Sequence, residues 1–212
     1  MQDWGPIDYE KALEQQLLLV DQVHSQNLAG IIVFCTHPPI VTLGRKTQAG
    51  DVFAWPGEIK EISRGGRATY HGPSQLLIYP IINLDLVRPH RPLHDIGKFL
   101  RNFEQAIVNT LSKFGVAAQG KSLQKKSEVD ATSEETGVWV ENRKVGSLGI
   151  GIKKWVTYHG AAINLDNDPQ AFQGMNPCGF SAQTMISLEE LIGKKIDREK
   201  FQRLLFEQLL HL

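Results

Sequence analysis

The chain has 212 residues, with 23 Lys plus Arg against 23 Asp plus Glu and a formal net charge of zero. That length suits one substantial domain, which buries roughly 70% of its unfolded surface and so needs neither a disulfide nor a metal to fold. Charge balance argues against a general nucleic-acid binder, which carries a basic excess, and 42% hydrophobic with 22% charged residues is an ordinary globular composition.

Met1–Pro6 has no basic region followed by an apolar core, so no secretory leader is expected. Residues 8–27 are predicted helical, because Ala12, Leu13, Leu17, Val20 and Val23 recur at three- and four-residue steps. The run Ile31–Cys35 reads as a buried strand, closed by His37-Pro38-Pro39, since neither proline can donate to a ladder. Ile40–Leu43 reads as a short return strand. A loop with Gly50, Pro56 and Gly57 leads to Ile59–Ser63 and then to a glycine-rich segment. Gln75–Leu84 is strand-like, and its apolar stretch, interrupted by Pro80, is far too short for a membrane span.

Ile96, Leu100, Phe103, Ile107, Leu111 and Phe114 mark the longest helix, stopped by Gly115. Residues 119–136 are rich in Lys and acidic residues without an aromatic, and read as an exposed, mobile loop. Val138–Val140, the turn Glu141-Asn142-Arg143 and Val145–Ile152 form a predicted hairpin. Val156–Leu165 supplies another strand. A loop around Pro177-Cys178-Gly179 precedes two short helices, near 187–192 and 197–211. Strands and helices mix without strict alternation. The expected fold is therefore one mixed-sheet α/β (α+β) domain over residues 1–212, not a doubly wound parallel sheet.

The densest unusual segment is Arg64-Gly65-Gly66-Arg67-Ala68-Thr69-Tyr70-His71. Its glycines permit close backbone approach to a ligand, and its arginines, Thr69, Tyr70 and His71 offer hydrogen-bonding groups. A glycine turn with solvated arginines is the bland alternative. The segment matches neither a phosphate-binding Gly-Lys-Ser/Thr loop nor the dinucleotide glycine pattern.

Of the two cysteines, Cys35 beside Val33 and Phe34 resembles a core residue, whereas Cys178 lies in the turn Asn176-Pro177-Cys178-Gly179, where a thiol can be exposed. Two distant cysteines without an export signal read as free thiols in a reducing compartment, and no Cys-x-x-Cys pair supports zinc. The thiolate is the reactive form of cysteine, so a neighbouring cation would activate Cys178. Lys144 is the candidate, opening the small-residue run Val145-Gly146-Ser147-Leu148-Gly149. Lysines beside hairpin turns are usually solvated, and Lys153 and Lys154 compete nearby. His71 and His159, the latter followed by Gly160-Ala161-Ala162, are both candidate general bases, and spacing does not rank them.

Arg64–His71 with Gly72-Pro73 and Gln75 resembles the signature of the octanoyltransferases of lipoate biosynthesis. The resemblance continues in order through Asp8-Tyr9 with Ala12, Thr36–Pro39, Leu43-Gly44-Arg45, Lys144 with Gly146–Gly149, His159-Gly160, Asn164 and Asn176–Gly179. It implies a fold similar to the biotin and lipoate ligase catalytic domains, a mixed sheet flanked by helices. It also implies a cytoplasmic enzyme that needs no metal, nucleotide or other cofactor. The family passes an octanoyl (or lipoyl) group from acyl carrier protein to a cysteine, and then to a lysine of a lipoyl domain. The acceptors are 2-oxoacid dehydrogenases and the glycine cleavage H protein, with no nucleic acid or membrane involved.

Carried onto this sequence, the resemblance implies Cys178 as nucleophile and Lys144 as its activating partner. Arg64, Gly65, Gly66, Arg67, Ala68, Thr69, Tyr70, His71, Ser147, Leu148, Gly149, Gly160, Ala161 and Ala162 would be the substrate-binding residues. The amide of Gly179 is a candidate oxyanion donor. Arg45-Lys46, Arg64, Arg67 and Arg88 to Arg91 are candidates for a basic face that docks an acidic carrier. Open alternatives are an amidotransferase between lipoyl domains, an ATP-dependent lipoate ligase, a thiol hydrolase and a non-catalytic binding module.

Overall fold

Every residue of the strand Gln75–Ile82 (β6) is buried, as in a strand covered on both faces. In the computed structural model, which describes residues 1–89, 91–122 and 136–212, β6 is the third strand of a seven-stranded sheet. Across that sheet run Gln2–Pro6 (β1), Gly30–Thr36 (β2), β6, Val156–Asn164 (β10), Arg143–Lys153 (β9), Gly137–Val140 (β8) and Gln119–Gly120 (β7). β1 lies parallel to β2, and the remaining pairs are antiparallel. A second sheet orders Glu58–Glu61 (β4), Ile40–Leu43 (β3) and Thr69–His71 (β5), with β3 parallel to β4 and antiparallel to β5.

Helices cover both faces of the large sheet. Tyr9–Ser25 (α1) starts at Asp8, whose carboxylate accepts from the Glu10 and Lys11 amides at 2.9 and 3.3 Å and so satisfies two donors the helix leaves open. Its buried Ala12, Val20 and Val23 pack on Val33, Leu77 and Ala162. On the opposite face, Phe99, Phe103, Ile107 and Leu111 of Ile96–Ser112 (α2) meet Phe201 and Leu205 of Arg198–Leu209 (α4). Each such side chain contributes roughly 1.5–3 kcal/mol on full burial. The short Leu188–Ile192 (α3) precedes α4. Among the described residues no helix is long and apolar enough to cross a membrane.

Pro80 interrupts the sheet where the site forms. Proline has no amide to give to a ladder, and β6 pairs with β10 only from Gln75 to Ile78, resuming as a single bridge between Asn83 and Val156. Thr157 fills the gap: its hydroxyl bonds the Pro80 carbonyl and accepts from the Ile82 amide at 2.9 Å. His159, opposite this break, takes φ 57°. Its amide turns to the Gln16 side chain at 2.7 Å.

The expected mixed α/β architecture is present, with three corrections. Gln2–Pro6, read without structure, is an edge strand. Ile40–Leu43 does not return along β2, because Pro38-Pro39 redirect it into the second sheet. The exposed stretch expected from residue 119 begins as β7, tied down by the buried Glu104, which accepts from the Ser122 and Gly137 amides at 3.1 and 2.9 Å. The rest of that expected loop, residues 123–135, lies outside the described residues.

Candidate active site

Cys178 sits in a one-turn 3-10 segment, Pro177–Gly179, with φ 56° and ψ 18°. A non-glycine residue in the left-handed region is strained and persists only where its surroundings hold it. Here the ring of Pro177 fixes the preceding residue, and the Cys178 amide donates to the Ala68 carbonyl at 2.8 Å. Contrary to an exposed loop thiol, Cys178 is 6% exposed, and its Sγ lies 3.8 Å from Ser147 Oγ. Gly179 follows with φ 83°, and a side chain there would strike the Arg67 guanidinium at 2.4 Å. The Gly179 amide donates to the Asn176 carbonyl at 3.0 Å, so the turn itself already uses that expected oxyanion donor.

Lys144 lies on β9 and is fully buried, unlike the solvated hairpin lysine of the bland alternative. Its Nζ stands 5.4 Å from the centre of the Trp139 ring and 5.7 Å from that of Phe180, two positions beyond Cys178. Gly137 makes room for its stem, since a Cβ there would lie 2.6 Å from Lys144 Cε. Lys153 and Lys154, the competing cations, point to Asp21 on α1 at 3.4 and 3.1 Å, away from this site.

A pocket of about 470 Å³, counted to its open mouth, is lined by Cys178 and Ser147. Of the residues expected to bind substrate, Arg64, Gly66, Arg67, Thr69 and His71 line it, as do Ser147, Leu148, Gly149, Gly160, Ala161 and Ala162. Three expected residues stand outside the lining. Tyr70 turns away to pack on Trp55 and Phe172. Ala68 lies beneath the Cys178 amide, and Gly65 donates to the Ile150 carbonyl at 3.2 Å. Lys144 does not line the pocket but stands behind it.

Both arginines of the glycine-rich segment are buried and engaged. Arg67 forms an ion pair with the buried Asp51, with Nε 3.0 Å from Oδ2. One Arg64 nitrogen donates to the Thr42 carbonyl and hydroxyl, each at 3.0 Å. Arg91 is also buried, donating to the Leu84 and Asn83 carbonyls. These three therefore do not belong to an exposed basic face. Arg45 and Lys46 are exposed, and their amides bond the Arg64 and Gly66 carbonyls at the pocket wall.

Both candidate bases reach the pocket. Burial, helped by the charge of Arg64, pulls His159 down to about 3. Burial likewise holds His71 well below the usual histidine range, with His37 and Arg64 adding to the effect. Each is therefore a neutral imidazole. His159 Nδ1 lies 3.5 Å from the Tyr9 hydroxyl, and His71 Nε2 lies 3.3 Å from Thr42 Oγ1. Cys35 does not line the pocket, and its thiol is pushed up by burial in the α1 core.

Sequence reasoning named Tyr9 only within the resemblance, and missed Leu77 and Tyr79, which also line the pocket. Nor did it single out Asp51, Trp139 or Phe180. Trp139 and Phe180 are aromatics in otherwise apolar or loop settings, and nothing in their spacing marks them as neighbours of one lysine.

Comparison with known proteins places the chain in a family. The family described as lipoyl protein ligase A/B catalytic domain matches residues 8–210. An octanoyltransferase of Bdellovibrio bacteriovorus is 53% identical, covering 98% of this chain and 97% of its own length. One from Geobacter metallireducens is 34% identical over 92% of this chain and 84% of its own. Among solved structures, lipoate-protein ligase A bound with ATP superposes with a TM-score of 0.69 at 17% identity, covering 99% of this chain and 86% of that one. Biotin protein ligase from Aquifex aeolicus gives 0.52 at 9% identity, with 99% and 66% covered. These two likenesses concern the fold.

Proposed function

Since the chain belongs to the lipoyl protein ligase A/B catalytic-domain family, and within it to the octanoyltransferases, we propose that it moves its acyl group in two steps through Cys178. The chain is an acyltransferase that transfers octanoyl groups in protein lipoylation, with lipoyl domains as acceptors. The donor in our reading is octanoyl-acyl carrier protein, and the acceptors are the lipoyl domains of 2-oxoacid dehydrogenases and the glycine cleavage H protein. Residues 1–212 act as one catalytic domain, a reading supported by the family's span of 8–210.

In the first step the Cys178 thiolate attacks the thioester carbonyl carbon and forms a tetrahedral oxyanion. Collapse breaks the bond to the carrier's sulfur, which leaves as a thiol after taking up a proton. In the second step an acceptor lysine amine attacks the new thioester, Cys178 leaves, and the amine loses a proton. Lys144, as an ammonium, favours the Cys178 thiolate and gives its proton to the carrier's departing sulfur; the neutral amine that remains then receives the proton lost by the acceptor lysine, restoring the starting pair. Thioester exchange is nearly isoenergetic and amide formation is downhill, so neither step calls for ATP. The apolar pocket takes the acyl chain, each buried methylene contributing about 0.8 kcal/mol. Free Cys35 and Cys178 support a reducing, cytoplasmic setting.

The observation that carries the reading is the placement of Cys178. It is held in a strained turn at an apolar pocket, with the buried Lys144 reaching Phe180 beside it. Intact mass after mixing with octanoyl-acyl carrier protein, without ATP or acceptor, tests it. The expected result is a gain of one octanoyl group that Cys178→Ala abolishes and added lipoyl domain discharges. An untouched donor, with acyl transfer only from an octanoylated lipoyl domain, would favour the amidotransferase reading.

A further inference from the structure

The pocket has two unlike ends. At one, Cys178 lies beside Ser147, which pairs with Ala162 across β9 and β10. His159 pairs with Ile150, three positions further along the same strands, a distance of roughly 10 Å at the rise of a β-strand. Leu77, Gly160, Ala161 and Ala162 form the apolar middle. An extended octanoyl chain attached to Cys178 covers a similar span.

The far end is polar. His159 is 3% exposed, and its Nδ1 faces the Tyr9 hydroxyl. Its Nε2 is buried without a hydrogen-bond partner among the described residues. The strand break at Pro80 and the positive φ of His159 present the ring here, where regular pairing would have placed a side chain of the sheet. A buried polar atom pressed against a methyl group loses the partner that water would supply, whereas a water or hydroxyl satisfies it.

We propose that His159, backed by Tyr9, is a polar stop that sets acyl-chain length, admitting an alkyl chain up to the imidazole and favouring a hydroxyl at the position that touches it. This rests on the reading of the pocket as the acyl site. A longer alkyl chain presses a methyl group against Nε2 and leaves it unsatisfied, while a chain ending in a hydroxyl bonds it. The role is one of specificity, distinct from the proton transfers assigned to Lys144.

The test loads acyl carrier protein with plain and ω-hydroxy chains of equal heavy-atom count, from eight to eleven, and follows acylation of Cys178 by intact mass. At the length that reaches His159, the ω-hydroxy chain is expected to react about tenfold faster than its alkyl isostere, the factor that 1.4 kcal/mol gives. His159→Leu should reverse that preference. Should that variant fail to fold at its positive-φ position, the wild-type comparison decides by itself. Equal or faster reaction of the plain chain at every length overturns the proposal. Failure of octanoyl itself to label Cys178 is a separate result, which defeats the acyl-site reading and this proposal with it.

Discussion

The ammonium of Lys144 stands over two aromatic rings, 5.4 Å from the centre of Trp139 and 5.7 Å from that of Phe180, and those rings meet edge to face at 5.1 Å. A fully buried lysine is costly unless its charge is compensated, and a ring face contributes about 0.5–2 kcal/mol of that compensation. Trp139→Leu keeps the volume apolar but removes the face. Octanoyl transfer should fall about tenfold at neutral pH, since 1.4 kcal/mol corresponds to that factor. Trp139→Phe should retain most of it. Equal loss in the two variants, read by single-turnover transfer to a lipoyl domain, would assign Trp139 to packing alone.

Behind the nucleophile lies the Arg67–Asp51 pair, both partners buried and the guanidinium against Gly179. Removing one partner of a buried pair leaves an uncompensated charge, at a cost of about 3–5 kcal/mol. Asp51→Asn should therefore unfold at distinctly lower urea. It should also slow Cys178 acylation, because the freed guanidinium presses on the turn that holds the thiol. A variant with unchanged urea midpoint would show that the pair is compensated elsewhere.

His37, His71 and His159 are all held below the ordinary histidine value, chiefly by burial. A base with a depressed folded value binds its proton less readily than the unfolded chain does. The stability it contributes is complete above about 6.5, the unfolded value, and is lost as pH falls toward its folded value, about 3 for His159. Across that window each such group changes stability by about 1.4 kcal/mol per pH unit. Urea titrations at pH 7, 6 and 5 should show falling stability, with a shallower slope in His159→Asn, whose side chain tolerates positive φ. An identical slope in that variant would remove His159 from the acid response.

The helices and most strands were legible because their burial is periodic: α2 shows its apolar face at Phe99, Phe103, Ile107 and Leu111. Less legible was anything decided by long-range pairing. β1 is polar and partly exposed, and becomes a strand only because β2 offers an edge. Chemistry followed the same division. Cys178 and Lys144 stood out by residue type and local glycines, reinforced by a collinear resemblance. Burial of Arg64 and Arg67 was invisible, since their partners Thr42 and Asp51 lie far away in sequence. Tyr70 sits inside the signature yet faces away from the pocket because β5 alternates, sending Thr69 and His71 to the pocket and Tyr70 into the cluster with Phe172.

Gly137 offers a way to disturb Lys144 without altering any reactive group. It stands at φ 145°, and a Cβ would lie 2.3 Å from the Gly146 carbonyl oxygen and 2.6 Å from Lys144 Cε. The carbonyl belongs to a paired strand and cannot move cheaply, so the lysine stem and the start of β8 must shift. Because a displacement of about 1 Å at a catalytic group can cost on the order of a hundredfold, Gly137→Ala should reduce octanoyl transfer by tenfold or more. Its amide also donates to Glu104, so some loss of stability accompanies the change. Comparing transfer rates well below the melting temperature separates the two effects. A folded Gly137→Ala protein with wild-type transfer would mean that Lys144 acts from a position its stem does not fix.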